Sequence, residues 1–200
     1  MSELQFESAL QHVAVPQGLS VDIREIADRG MIDLRGLTSD RKFMAAAKEA
    51  LGIDLPKKPR TSVSWGDIKI LWLSVDQWLV LCPRVRTAEL LGILRKALGS
   101  IHSLAVDVSD MRAVIRVEGE FLREVLMKGA SLDLLNGEYV PGTARRMRFA
   151  EIAALLHVVE DNVFDVYVFR SHADYAWEFL LATARQPASI RLFGRQQVLV

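Results

Sequence analysis

The feature that most constrains the fold is a pattern of two short apolar strands followed by a helix, which recurs four times along the chain. Apolar residues that alternate, or that run on for about four to eight positions, indicate strands, whereas a period of about 3.6 residues indicates a helix. A helix after each strand pair can cover one face of a sheet. The order therefore predicts an α+β protein with antiparallel sheets, repeated β-β-α units and helices on the faces of the sheets.

In the first repeat, strands are predicted from Leu19 to Ile26 and from Met31 to Leu37. Between them lies Asp28-Arg29-Gly30, where glycine can supply the positive φ of a turn. A helix follows from about Ser39 to Leu51, with Gly52 as a left-handed cap.

The second repeat opens after a loop at 55–59, whose two prolines disfavour helix. Its strands, Ile68 to Leu73 and Trp78 to Leu81, are apolar on both faces, as expected for strands covered from two sides. Thr87 is predicted to cap a helix that ends at Gly99. The leucines of its buried face are Leu90, Leu91, Leu94 and Leu98.

In the third repeat, apolar positions at 113, 115 and 117 alternate with Arg112 and Arg116, which predicts that one edge of this strand faces water. A helical stripe then ends at Gly129. In the fourth, strands Arg145 to Val159 and Val163 to Phe169 flank a hairpin turn. The last helix is predicted to begin at a capping box, Ser171 to Asp174. It should bury Ala173, Ala176, Trp177, Leu180 and Ala184.

Size and composition indicate one folded unit. The chain has 200 residues, and half of them are apolar, which suits one sizeable core or two small lobes. Since no linker-like segment divides it, we expect a single domain over 1–200, with lobes of about 1–100 and 101–185 as the alternative. The tail at 186–200 is apolar at Ile190 to Phe193 and Val198 to Val200, so we expect it to dock on another surface.

Charge and cysteine content limit the possible partners and the cellular environment of the protein. The formal net charge is zero, from 25 basic and 25 acidic residues, so no long-range field attracts nucleic acid or anionic lipid. A single cysteine, Cys82, forbids an intrachain disulfide. Because the chain shows neither a signal peptide nor a run of about 18 apolar residues, we expect a soluble, cytoplasmic protein.

The candidate catalytic and metal-binding residues are few. Cys82 follows an apolar run and precedes proline, where a thiol more often packs than reacts. The four histidines, His12, His102, His157 and His172, lack zinc-site spacing and are expected to be structural or exposed. No phosphate-binding glycine motif occurs. The sequence therefore predicts no catalytic, cofactor-binding or metal-binding residue.

The polar cluster Asp107, Ser109 and Asp110, with Arg112 after it, could orient a substrate amine. Aspartate and serine at a tight turn also bond to their own backbone, and this structural interpretation is favoured.

Among the tryptophans, Trp72, Trp78 and Trp177 lie within periodic apolar stretches and are predicted to be core residues. Trp65 is equally compatible with a core position and with an exposed interface anchor.

Four blocks between residues 71 and 178 carry a specific pattern. They read LWLSVDQWL at 71–79, VDVSDMR at 106–112, KGASLDL at 128–134 and RSHADYAWE at 170–178. These blocks are similar to LWLGPDEWL, to an aspartate-serine-arginine turn, to KGCPLDL and to RSFAxYxWE of the sarcosine oxidase gamma subunit family. The chain departs from the family at Ser74-Val75, where the family has Gly-Pro, and at Ala130-Ser131, where it has Cys-Pro.

The resemblance implies a fold related to the folate-binding domain of aminomethyltransferases. It implies a structural gamma subunit of heterotetrameric sarcosine oxidase, which oxidises sarcosine to glycine and passes the one-carbon unit to tetrahydrofolate. In such a complex the other subunits would carry FAD, FMN, NAD and the folate site. The gamma subunit would contact the alpha subunit directly, with beta and delta subunits in the same assembly.

Two other functions are compatible with the same fold. One is a stand-alone folate-binding or one-carbon-transfer protein, which binding of tetrahydrofolate by the purified chain would reveal. The other is a scaffold for a different amine oxidase, which co-purification with a partner unrelated to sarcosine would reveal.

Overall fold

The computed structural model describes residues 6–188 and 190, in which ten strands and four α-helices are formed. The strands are β1 (Asp22–Glu25), β2 (Arg29–Arg35), β3 (Ser62–Trp65), β4 (Ile68–Ser74), β5 (Gln77–Pro83), β6 (Leu104–Asp107), β7 (Arg112–Glu118), β8 (Ala144–Phe149), β9 (Ile152–Glu160) and β10 (Val163–Phe169). The helices are α1 (Arg41–Leu51), α2 (Thr87–Leu98), α3 (Leu122–Met127) and α4 (Ala173–Ala184). None of these helices is long and apolar enough to cross a membrane.

The strands form two sheets of the same design. One sheet has the order β1-β7-β10-β9-β8, and the other, read from its opposite edge, has the order β6-β2-β5-β4-β3. The registered pairs are antiparallel. In each sheet a central hairpin, β4-β5 or β9-β10, is followed by a short 3-10 turn and a long helix. The predicted α+β class and the repetition of strand pairs with helices are confirmed.

Each sheet lies in a compact unit of its own, except that the first three residues of β8, at 144–146, are grouped with the unit of the other sheet. The central unit, defined by residues 28–111 and 142–146, contains β2 to β6. The split unit takes the described residues from 6–27, 112–141 and 147 onward. These units are interleaved in sequence, unlike the lobes of about 1–100 and 101–185 considered above, and behaviour as a single domain stays a prediction.

The two units have separate apolar cores. In the central unit, Phe43 and Leu94 from the helices pack against a sheet face that includes Ile32 and Val80. In the split unit, the five positions predicted for α4 are all buried against the sheet. Full burial of a large apolar side chain is worth about 1.5–3 kcal/mol, so these faces supply much of the stability of each unit. The opposite sheet faces are also buried, at Met31, Leu71, Leu79 and Leu81 in the central sheet and at Val114, Leu155 and Tyr167 in the other.

The first predicted hairpin does not form. Strand β1 pairs with β7, whereas β2 pairs with β5 and β6. Gly30 therefore lies inside β2 and not in a turn, so the predicted positive φ was wrong. Its glycine identity serves a close approach, because a Cβ at this position would lie 2.0 Å from Thr87 Oγ1.

Helix boundaries agree with the prediction where a residue next to the boundary marks it, as at the two ends of α1. Asp40 caps α1 by accepting hydrogen bonds from the backbone N–H groups of Lys42 and Phe43, at 2.8 and 3.2 Å. Gly52, at φ 73°, ends this helix as predicted. The predicted Thr87 cap was wrong, because its hydroxyl donates to Arg84 O at 2.9 Å.

The last helix also begins differently from the prediction. A 3-10 turn, Arg170–His172, leads into α4, and no side chain caps the helix. The capping box from Ser171 to Asp174 is therefore wrong. Both long helices that follow a hairpin begin by tightening the backbone into a 3-10 turn instead.

Two strands also differ from the sequence prediction. The strand expected from Arg145 to Val159 is divided into β8 and β9 at Ala150, which has φ 47°. The edge strand β3 was not predicted. Of the apolar tail at 186–200, only residues 186–188 and 190 are described, so its docking lies outside the described residues.

Candidate functional site

The polar turn after β6 is held together by its own side chains. Asp107 Oδ1 accepts hydrogen bonds from the backbone N–H and the hydroxyl of Ser109, at 2.9 and 2.5 Å. Ser109 Oγ in turn accepts a hydrogen bond from Met31 N at 3.0 Å. The turn thus fastens the chain to β2.

The flanking charges of this segment also make structural contacts. Asp110 Oδ1 accepts a hydrogen bond from Arg84 Nη2 at 2.7 Å. The guanidinium carbon of Arg112 lies 4.7 Å from the centre of the Phe169 ring, a cation-π distance. That these side chains serve the fold and not a substrate stays a prediction.

Cys82 is buried in β5, with its sulfur 3.8 Å from Thr87 Oγ1. Burial disfavours the thiolate and raises the pKa of the Cys82 thiol above its ordinary value. A thiol in this environment is a poor nucleophile.

The four histidines lie in different settings. His12 Nε2 is 2.9 Å from Asp174 Oδ1 on the surface, and His102 and His172 are exposed. His157 is buried in β9. Among the described residues, no three histidine, cysteine or carboxylate side chains lie close enough together to hold a metal ion.

Sequence reasoning missed a buried ion pair in the split unit. Arg116 Nε and Nη2 donate to the two carboxylate oxygens of Asp165, at 2.7 and 3.0 Å, and Asp165 is 1 % exposed. The hydrogen bond with Asp165 raises the pKa of Arg116. Since β7 lies between β1 and β10, the predicted solvent-facing edge of this strand was wrong.

The pair has a polar neighbour on the next strand. Asp165 is in register with Arg116 on one side and with His157 on the other, so the three residues form one row across the sheet. Charged residues in otherwise apolar strands at 115–117 and 164–166 were the available signal. Removal of one partner from such a pair typically costs about 3–5 kcal/mol, which makes the row important for folding.

The central unit has an open cleft of about 270 Å³ at one end of β2. Arg35, Asp76 and His102 contribute its polar lining. Two of the polar groups nearby are already engaged: Asp76 accepts a hydrogen bond from Ser74 Oγ at 2.5 Å, and Ser103 Oγ donates to Ile101 O at 2.9 Å. The cleft is large enough for a small molecule.

The tryptophans divide into core and surface. Trp78 and Trp177 are buried as predicted, and Trp72 is half-buried against the core of the central unit. Trp65 is 65 % exposed at the end of the edge strand β3. A Cβ on Gly52 would lie 3.3 Å from two atoms of the Trp65 indole, so one part of the indole rests on the end of α1.

Comparison with known proteins relates most of the chain to one family. The model of the sarcosine oxidase, gamma subunit family matches residues 35–186. The sarcosine oxidase subunit gamma of Corynebacterium sp. (strain U-96) is 29 % identical over 152 residues, which make up 74 % of this chain and 72 % of that relative.

Solved structures agree with this relation. A chain of the heterotetrameric sarcosine oxidase from Corynebacterium sp. U-96, in complex with pyrrole 2-carboxylate, matches with a TM-score of 0.84 at 24 % identity. The match covers 94 % of this chain and 98 % of that chain. The glycine cleavage system aminomethyltransferase T from Bartonella henselae matches with a TM-score of 0.61 at 13 % identity, over 82 % of this chain and 46 % of that protein. At these identities the likeness establishes the fold, which the aminomethyltransferase shares.

Proposed function

The chain belongs to the sarcosine oxidase gamma subunit family, and from this premise we propose that it is the structural gamma subunit of a heterotetrameric sarcosine oxidase. In this proposal the complex oxidises sarcosine to glycine and passes the released one-carbon unit to tetrahydrofolate. FAD, FMN, NAD and the folate site lie on other subunits, and the complex is cytoplasmic. The gamma subunit contacts the alpha subunit directly and shares the assembly with beta and delta subunits.

The observation that carries the proposal is the family match over residues 35–186. The likeness in fold, which covers nearly the whole of both chains, is consistent with it. The contacts of the candidate polar residues support a structural role. Asp107, Ser109 and Asp110 are all engaged within the fold, and Cys82 is held as a buried thiol.

Purification from the source cells tests the proposal. A tagged chain should bring down the alpha, beta and delta subunits, identified by mass spectrometry, and the recovered assembly should form hydrogen peroxide from sarcosine. The isolated chain should show no flavin spectrum and no peroxide formation. Stoichiometric flavin or tetrahydrofolate on the isolated chain, or recovery with a different amine oxidase, would contradict the proposed role.

A further inference from the structure

Two segments of the central unit are rich in cations and free of acids. No acidic residue occurs between Asp54 and Asp67, where Lys57, Lys58 and Arg60 lie. The second segment, at 142–146, includes Arg145 and Arg146 and likewise lacks aspartate and glutamate. In a chain with a formal net charge of zero, these segments concentrate one sign of charge locally.

The fold places the two segments side by side. Thr61 and Thr143 form an isolated antiparallel bridge. Ala144 N donates to Arg60 O at 3.0 Å, and Ser62 N donates to Gly142 O at 2.7 Å. We call the group of Lys57, Lys58, Arg60 and Arg146, all of them exposed, the basic patch.

The carboxylates that flank the first segment are occupied by other cations. Asp54 pairs with Lys48 at 2.8 Å, and Asp67 pairs with Arg86 at 2.5 Å. Within the described part of the chain, no ion pair involves Lys57, Lys58 or Arg60, and all three are exposed. Arg146 Nη2 donates to the neutral amide oxygen of Gln77, at 2.8 Å, which leaves its charge uncompensated by that contact.

Arg60 also adopts an unfavourable backbone conformation. It follows Pro59 in the turn before β3 and has φ 64°, a left-handed region that favours glycine. Thr61 Oγ1 donates to Lys58 O at 2.7 Å and steadies the turn. Glycine adopts this φ without strain, so replacing Arg60 by glycine would remove the guanidinium without straining the backbone.

We propose that the basic patch docks an acidic segment of the alpha subunit, an inference that rests on the proposed function. Charge complementarity selects an acidic partner surface. Trp65 is exposed at the far end of the strand that follows Arg60, and exposed aromatic residues are common anchors of protein interfaces. The zero net charge of the whole chain favours a protein partner over a nucleic acid.

The test is titration of purified alpha subunit with folded variants of the full chain. One variant combines Lys57→Glu with Lys58→Glu, and its matched control combines Arg41→Glu with Lys42→Glu, which makes the same charge change at exposed positions on α1. At about 0.1 M salt, where charges act over ~10 Å, the patch variant should bind at least ~tenfold more weakly than wild type. The control should differ by less than ~twofold, and about 1 M salt should reduce the effect of the patch variant.

Arg60→Gly separates binding from stability. Because glycine accepts the positive φ, this variant should melt at the same temperature as wild type or higher, while it binds the alpha subunit more weakly. Wild-type affinity in this folded variant would contradict the inference for Arg60.

The remaining outcomes distinguish the inference from the proposed function. Wild-type affinity in the patch variants, or an equal loss in the α1 control, would overturn the basic patch while leaving the gamma-subunit role intact. Patch-dependent binding of a DNA or RNA oligonucleotide in place of the alpha subunit would overturn the choice of partner. Failure of the wild-type chain to bind the alpha subunit would overturn the proposed function as well.

Discussion

At the scale of single residues, the hydroxyl of Ser109 connects more of the structure than its size suggests. It accepts the buried Met31 N–H and donates to Asp107, so it fixes the turn to a neighbouring strand. In Ser109→Ala the Met31 N–H loses this acceptor, which should cost about 1–3 kcal/mol of unfolding free energy. Urea unfolding of the variant measures the loss.

The control for this change is Ser64→Ala, which removes an exposed hydroxyl from β3. It should leave the unfolding free energy within about 0.5 kcal/mol of wild type. Equal stability of both variants would mean that the Ser109 contact contributes nothing. Binding to the alpha subunit should survive in both variants, because this prediction concerns stability alone.

Cys82 gives a pH-dependent prediction. Its pKa is raised in the folded state, so the unfolded chain binds fewer protons at alkaline pH. The contribution to stability is therefore complete below the unfolded thiol pKa of about 8.5 and declines as pH rises through it. Unfolding measured across this range should show a smaller decline in Cys82→Ala than in wild type. An identical slope in the two proteins would contradict the prediction.

Local and distant contacts of these residues differ in how far sequence can predict them. The bonds of Ser109 to Asp107 were expected, because a turn places both residues together. Its bond to Met31 depends on strand pairing between remote segments. The pairing of Arg116 with Asp165 has the same character, since each residue by itself is only a charge within an apolar strand.

At the scale of elements, two glycines provide a matched pair of substitutions. Gly30 in β2 has no space for a Cβ, whereas Gly92 in α2 has nothing within 4 Å of one. Gly30→Ala should destabilise the protein by about 1–3 kcal/mol through overpacking. Gly92→Ala should stabilise it by up to ~1 kcal/mol, because alanine is the better helix former.

Thermal unfolding checks this pair. For a chain of this size, each ~1 kcal/mol corresponds to a shift of about 2–4 °C in Tm. The two variants should move Tm in opposite directions from wild type. A shift in the same direction would show that the close approach at Gly30 does not control the stability of its strand.

Elements were predictable where periodicity and chemistry agreed within a short window. Helix α1 had an apolar face and a terminal glycine, and Gly52 ends it as expected. The 3-10 turns before α2 and α4 have no comparable apolar face or capping residue that would identify them in the sequence. Strand β3 was missed because it has only two apolar residues, Val63 and Trp65, which alternate with serines. Such a short alternation of apolar and polar residues does not identify a strand.

At the scale of the whole molecule, the exposed Trp65 predicts an effect on assembly without an effect on folding. Trp65→Ala should weaken binding to the alpha subunit by at least ~tenfold, or 1.4 kcal/mol, because exposed tryptophans are common interface anchors. Tyr175→Ala, which removes an exposed ring from α4, is the control. Titration calorimetry measures both affinities, and equal values would place the interface away from Trp65.

The fold class was predictable for the described part of the chain, but the pairing of strands was not. Repeated strand pairs indicated antiparallel sheets, and they form. Adjacent pairing was the natural expectation for β1 and β2, since strands joined by a short turn usually form a hairpin. Instead, β1 precedes β2 along the chain but pairs with β7, and β6 precedes β7 but pairs with β2. Each of these two edge strands therefore lies in a different sheet from the strand that follows it.

This exchange of edge strands sets an order of events during synthesis on the ribosome. The strands β2 to β6 all lie within residues 28–111 and can pair as soon as they emerge. Strand β1 emerges before them, yet its partner β7 begins only at Arg112. At about 5–20 residues per second, the nascent β1 waits roughly 5–20 s for that partner. The earliest of the described strands thus stays without its partner until all five strands of the central sheet have been synthesised.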